Sequence, residues 1–281
     1  MVESRHRCCL TCGGTHFVDQ AVLWDDLAAA WELSAAERAY IDRQQGTHCT
    51  SCGSNLRSVA LADALLAALG GTSTLSELVT DTACRSIDLL EINQAGSLSP
   101  FLSRLPGHVL ASYPDIDMQK MPYAKETFDV VVHSDTLEHV PDPMLALSEC
   151  LRILRPGGVL CFTVPIIVGR LTRDCTGRKP SFHGAEASAT ADFRVRTEFG
   201  ADAWTFVMRA GFSTVSISTI EFPAALAVTA RKGRPAPLPP NDGAAMQALR
   251  AELEVLRACR SWRMTQVLRD SAAMLRRLTS R

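Results

Sequence analysis

The chain has 281 residues, 47% hydrophobic and 21% charged, enough to build one large domain or two smaller ones. A formal net charge of −1 argues against a dominant nucleic-acid surface. The polar start, Met1 to Arg7, has no apolar signal region, and the apolar stretch from Val159 to Val168 contains Pro165 and is too short to span a bilayer. A cytoplasmic protein is expected, and there ten cysteines serve metal binding or core packing rather than disulfides.

The N-terminal stretch repeats one spacing. Cys9-Leu-Thr-Cys12-Gly13 and Cys49-Thr-Ser-Cys52-Gly53 are twin CxxCG turns. Four thiolates in two such pairs suit a tetrahedral zinc ion, and a closed four-cysteine site is structural, with no open position for substrate. Cys8 is an alternative to Cys9, but only Cys9 repeats the spacing; His6, His16 and His48 read as surface residues. Between the turns Trp24, Leu27 and Trp31 share a helical face, and Ser34 to Glu37 fits a capping box before Tyr40 and Ile41. Residues 1–58 are expected to form a zinc-ribbon-like module with inserted helices. Most of the scattered cysteines, Cys84, Cys150, Cys161, Cys175 and Cys259, read as small apolar residues.

Leu56 to Leu69 is rich in alanine and leucine and ends at Gly70-Gly71, a helix expected to connect this module to the next domain through residues 59–84. Ser86 to Glu91 reads as a strand. Ile92-Asn93-Gln94-Ala95-Gly96-Ser97 then makes a turn of mostly small residues before a helix at Ser97 to Leu105. His108 to Tyr113 reads as a second strand. Asp117 follows Tyr113 too closely for another helix and strand to fit, so an edge strand of the sheet is expected to be missing.

Phe128 to Pro165 is the clearest stretch. Val130, Val131 and Val132 form a buried strand. Asp135 and Glu138 fit a capping box, and Asp142-Pro143 opens a helix with Leu145, Cys150, Leu151 and Leu154 on its apolar face. Arg155-Pro156-Gly157-Gly158 stops the helix, and Val159 to Val164 forms the next strand. Strand–helix–strand of this length implies a right-handed parallel crossover. FDVVVHSDTLEHVPDP with LRILRPGG resembles the fourth and fifth strands of class I S-adenosylmethionine-dependent methyltransferases, of the type 11 kind, over about Ile87 to Lys232.

The resemblance implies an α/β fold, a Rossmann-like sheet over residues 85–232, compressed here, and S-adenosylmethionine as cofactor. It places Glu91 at the cofactor's ammonium group and Asn93, Ala95 and Gly96 around its methionine end, although the family has glycines where Asn93, Ala95 and Ser97 stand. It places Asp117 and Met118 at the adenine and Ser134 beside the cofactor. The family's ribose-binding acid is absent from the second strand, so either Asp115 does the work or ribose recognition is altered. Asp135, His139 and His183 are the candidate bases.

Between Pro165 and Ala201 no period persists, and Arg170 and Arg173 are candidates to bind an anionic acceptor. Ala203 to Ala210 is helical, and Ser213 to Phe222 and Ala225 to Lys232 form an antiparallel pair. Residues 233–243 are a proline-rich linker. Residues 244–281 form a basic amphipathic helix with eight arginines against three acids, suited to an anionic membrane surface or a partner protein. Its Ser261-Trp262-Arg263-Met264-Thr265 resembles an ending of bacterial surface-polysaccharide enzymes, which points to a sugar or glycan-precursor acceptor. Two alternatives stand beside this. One is a non-catalytic partner in polysaccharide assembly. The other is RNA recognition by the zinc module, which the near-neutral charge argues against.

Overall fold

The computed structural model describes residues 8–71, 73–177, 193–234 and Ala251. Met1–Arg234 is one unit and Pro235–Arg281 another. Most of the expected linker and the basic helix, with its polysaccharide-enzyme-like ending, lie outside the described residues, as does His183.

The chain opens with β1 (Phe17–Val18), α1 (Asp25–Ala30), α2 (Ala35–Gly46) and β2 (His48–Cys49). β1 and β2 pair antiparallel and bring the two CxxCG turns together. Gly13 and Gly53 end those turns at φ +82° and +74°, where a side chain would be strained. Ser34 and Glu37 form the expected capping box of α2. α3 (Leu56–Leu69) starts on Asn55, whose side chain accepts the Ser58 N–H, and α4 (Leu75–Leu78) follows.

Then come β3 (Asp88–Ile92), α5 (Ser99–Leu102), β4 (Gly107–Ala111), β5 (Phe128–Ser134), α6 (Pro143–Ile153) and β6 (Leu154–Thr163). Asp142 caps α6 by accepting the Met144 and Leu145 N–H groups. The buried face of α6 is Ala146, Leu147, Cys150 and Ile153, whereas Leu145 is exposed. Leu154 already belongs to β6, so the Arg155-Pro156-Gly157-Gly158 stretch lies inside the strand, where the register against β5 shifts.

β7 (Ile166–Ile167), β8 (Arg173–Asp174) and β9 (Thr197–Gly200) make a small separate sheet in the segment without sequence period. α7 (Ala203–Arg209), β10 (Thr214–Ile220) and β11 (Ala225–Arg231) complete the unit.

The main sheet has the order β10-β11-β6-β5-β3-β4. β4, β3, β5 and β6 run parallel, and β11 and β10 are antiparallel additions. The sheet stops at β4, as the short 113–117 segment requires, and Val109 and Leu110 on that edge stay exposed. α6 and α7 cover one face. α3 covers the other, with Val59, Ala60, Leu61, Ala64 and Leu65 buried against β6, β10 and β11. The helix expected as a connector is therefore part of the sheet's core. Among the described residues no helix is long and apolar enough to cross a membrane.

Candidate cofactor cleft and acceptor cavity

The carboxyl ends of β3, β4 and β5 open into a cleft of about 680 Å³. Ligands in open parallel sheets collect at this edge. Asn93, Gly96, Asp117, Met118, Ser134, Asp135 and His139 line it.

Asn93 sits at φ +53°, a conformation asparagine tolerates, and its side chain ties three strand ends together. Its Oδ1 accepts the Tyr113 N–H at 3.0 Å and its Nδ2 donates to Thr136 Oγ1 at 3.4 Å. Gly96 is at φ +56°, and a Cβ there would meet Ser58 Oγ of α3 at 3.4 Å, so the loop sits directly on that helix. Asp117 is exposed and accepts the Gln119 N–H at 2.8 Å; Met118 beside it is buried. Ser134 Oγ shares a 2.8 Å hydrogen bond with Thr163 Oγ1.

Three expected residues do not face the cleft. Glu91 is fully buried and its carboxylate is occupied. It accepts the Ala95 N–H at 2.7 Å and the Ser99 hydroxyl at 3.2 Å, and it lies 2.6 Å from His108 Nε2. Glu91 therefore braces the loop from behind. Ala95 is buried with it, offering its N–H to Glu91. Asp115 is exposed and outside the lining, so the end of β4 that faces the cleft is Ser112 and Tyr113.

Asp135 sits at φ +46° and does not form the expected capping box; the turn at Leu137–His139 has no side-chain cap. Its carboxylate instead pairs with Arg57, from the first turn of α3. Arg57 lines the same cleft, and the sequence reading missed it. The available signal was an arginine in the first turn of an otherwise apolar helix. Burial pushes the Asp135 carboxyl up, against the pull of Arg57. Asp135 Oδ1 and Arg57 Nε are buried and make no hydrogen bond, so the protein leaves the pair only partly satisfied. His139 Nδ1 lies 3.1 Å from the Arg194 carbonyl and donates to it. Burial lowers its pKa, which favours a neutral ring with Nε2 as the acceptor.

A second cavity, about 290 Å³, lies past the end of β6. Trp31, Ile41, Pro165, Ile166, Ile167 and Val195 give it apolar walls. Glu138 faces this cavity while its neighbour His139 faces the cleft, and Val195 and Arg196 divide the same way. The α1–α2 hairpin forms one wall and is clamped there. Arg170 donates to Glu37 at 2.8 and 2.9 Å and to the Trp31 and Glu32 carbonyls at 3.1 and 2.6 Å. Arg173 pairs with Glu198 at 2.8 Å and Glu32 at 3.2 Å. The arginines expected to bind an anionic acceptor are thus occupied as ion-pair clamps.

Cys9, Cys12, Cys49 and Cys52 place all four Sγ atoms within 4.8 Å of one another. Cys9–Cys52 and Cys12–Cys49 are 3.7 and 3.8 Å apart. A tetrahedral zinc with Zn–S near 2.3 Å needs sulfurs about 3.8 Å apart, so the cluster fits that ion. Burial pushes the Cys9 thiol up to about 11 and raises Cys12; burial also acts to raise Cys49, but hydrogen bonds from the Cys52 and Ser51 backbone and the Cys12 and Cys52 side chains together draw it down to about 7. Cys8 is exposed and outside the cluster.

Residues 71–162 match the family described as "Methyltransferase domain". The matched residues lie on a mixed α/β sheet of Rossmann-like order, so this part of the chain is similar to a methyltransferase domain in both sequence and architecture. A probable S-adenosylmethionine-dependent methyltransferase of Mycolicibacterium smegmatis is 36% identical over 110 residues, covering 33% of this chain and 41% of that protein. A ubiquinone biosynthesis O-methyltransferase of Parvibaculum lavamentivorans is 51% identical over 37 residues, 13% of this chain and 15% of that one. The chain thus spans less than half the length of these curated relatives. A solved S-adenosylmethionine-dependent methyltransferase of Thermotoga maritima is 16% identical, with a TM-score of 0.37 over 63% of this chain and 90% of that one.

Proposed function

We propose that the protein transfers the methyl group of S-adenosylmethionine to a small acceptor. The observation that carries this reading is the cleft at the ends of β3, β4 and β5, lined by Asn93, Gly96, Met118, Ser134 and the Arg57–Asp135 pair. Bound there, the cofactor supplies an electrophilic methyl on a sulfonium. The protein's part is alignment and water exclusion.

Arg57 and Asp135 offer a cation and an anion side by side, matched to the carboxylate and ammonium of the cofactor's amino-acid end. Met118 packs on the adenine, with Asp117 beside it. Ribose recognition passes from a carboxylate to Ser112, Tyr113 and Asn93. His139 is the candidate base, held neutral and oriented by the Arg194 carbonyl. His183 stays a second candidate. The four cysteines hold a structural zinc ion.

The tail resemblance supports a sugar or glycan-precursor acceptor. The walls of the second cavity favour a different one: a compact acceptor with an apolar face, bound against Trp31 and Ile167. Incubation with methyl-labelled S-adenosylmethionine and two panels, nucleotide-sugars and small phenols, separates them. Label on a phenol with none on nucleotide-sugars supports the apolar reading; the reverse supports the glycan reading. No label on any acceptor, from protein that binds S-adenosylhomocysteine, favours the non-catalytic partner.

A further inference from the structure

The four-cysteine cluster and the cofactor loop are joined by a short line of side chains. Cys52 Sγ lies 3.2 Å from Ser54 Oγ. Ser97 Oγ donates to Ser54 Oγ at 2.9 Å. Ser97 follows Gly96, which lines the cleft. Ser54 is fully buried, so water cannot replace either contact.

The surroundings make this line directional. A metal-bound thiolate only accepts hydrogen bonds. Ser54 must then point its hydrogen at Cys52, which leaves its lone pairs for the Ser97 hydroxyl. One metal-ordered serine thereby fixes the rotamer of a residue in the cofactor loop. The backbone reinforces it. Asn55, next in the chain, caps α3, and the Leu56 N–H donates to the Thr47 carbonyl at 3.1 Å, beside the second cysteine pair. α3 then presents Arg57 to the cleft and Ser58 to Gly96. Cys9, Cys49, Leu56, Ala95 and Leu98 belong to one buried cluster, so the knuckles and the loop do not move independently.

We propose that Ser54 is a positioning residue through which the metal-loaded cluster sets the cofactor loop, so that metal and cofactor each tighten the binding of the other. This rests on the cofactor reading of the cleft. Coupling between two sites is reciprocal, so it is visible from either end.

The experiment uses the full chain, zinc-loaded, with zinc content measured on every sample. S-adenosylhomocysteine affinity is taken by calorimetry for wild type, Ser54→Ala, Ser97→Ala and the double variant. Each single change is expected to weaken binding roughly 3- to 10-fold with zinc content unchanged, as for loss of one buried neutral hydrogen bond. The double variant is expected to be no weaker than the worse single, because both remove the same contact. The second readout is zinc release to a chelating dye: S-adenosylhomocysteine slows it in wild type but not in Ser54→Ala. Wild-type affinity in both single variants, or fully additive losses with ligand-slowed release retained in Ser54→Ala, overturns the coupling while leaving the cofactor site standing. If Ser54→Ala does not fold, Ser97→Ala with the release assay decides alone. Wild type that is zinc-loaded, folded and unable to bind S-adenosylhomocysteine overturns both readings.

Discussion

The two hollows at the sheet's carboxyl edge use the same residue types differently. In the cleft over β3 to β5, Arg57 and Asp135 pair with each other on the wall. At the cavity past β6, Arg170 and Arg173 are enclosed by Glu32, Glu37, Glu198 and two carbonyls. One pair stands on the wall of the larger hollow; the other network fastens the N-terminal hairpin to the segment that follows β6. An arginine near an active-site edge is thus not a ligand contact until its partners are known. Here Glu198 lies nearby in sequence, but Glu32, Glu37 and the Trp31 carbonyl come from a part of the chain more than a hundred residues away.

The largest expected effect would break the common frame of both hollows. Cys49→Ser removes one of four ligands and should lower the melting temperature by roughly 10 °C or more, since structural zinc binding is folding free energy. Equal melting of the variant and wild type, both carrying zinc, would mean that the cluster does not bind the ion through Cys49. Next comes the shared helix. Leu65→Ala hollows the α3–sheet core and should cost about 2–5 kcal/mol in urea unfolding. A loss below about 1 kcal/mol would fit a connector and not a core helix.

Arg170→Gln acts on the clamp alone. It should leave S-adenosylhomocysteine affinity intact while making the α1–α2 hairpin more sensitive to proteolysis. The hydrogen bond from Arg170 holds the Glu37 carboxyl at about 2, down from 4.5. A depressed carboxyl stabilises the fold above its unfolded pKa, and that stability is lost as pH falls through the folded value. The stability difference between wild type and Arg170→Gln should therefore be constant above about pH 5 and shrink between about 4.5 and 2. A difference that grows on acidification would refute the pairing.

The smallest effect concerns His133, fully buried, stacked on Phe162 with ring centroids 4.9 Å apart, and without a hydrogen-bond partner at either nitrogen. Burial lowers its pKa to about 3, so the folded state resists a proton that the unfolded state binds from about 6.5 downward. His133→Phe should change neutral-pH stability by about 1 kcal/mol or less and reduce the loss of stability between pH 6.5 and 3. An unchanged acid limb would argue against it.

The strands and the four-cysteine cluster were legible because each has a local signature. Val130 to Val132 is a β-branched run, and the CxxCG spacing repeats. The compressed sheet followed from chain length alone, since nothing fits between Tyr113 and Asp117. The contacts around the cleft have no such local signature because they are long-range. Glu91 has the family's residue type, but His108, Ser99 and Ala95 take its oxygens. Asp135 and Glu138 have the spacing of a capping box, yet Arg57 draws Asp135 elsewhere. Leu56 to Leu69 looked like a connector because its apolar faces name no partner. Only the sheet shows what they cover.

In the proposed function the cleft holds the amino-acid end of S-adenosylmethionine through Arg57 and Asp135. Calorimetry with S-adenosylhomocysteine on zinc-loaded wild type and Arg57→Gln tests it most directly. Micromolar binding by wild type, weakened roughly 10- to 100-fold in the folded variant, is the predicted result, as for loss of a charge-assisted contact. Binding that Arg57→Gln leaves unchanged, or no binding by folded, zinc-loaded wild type, would contradict it.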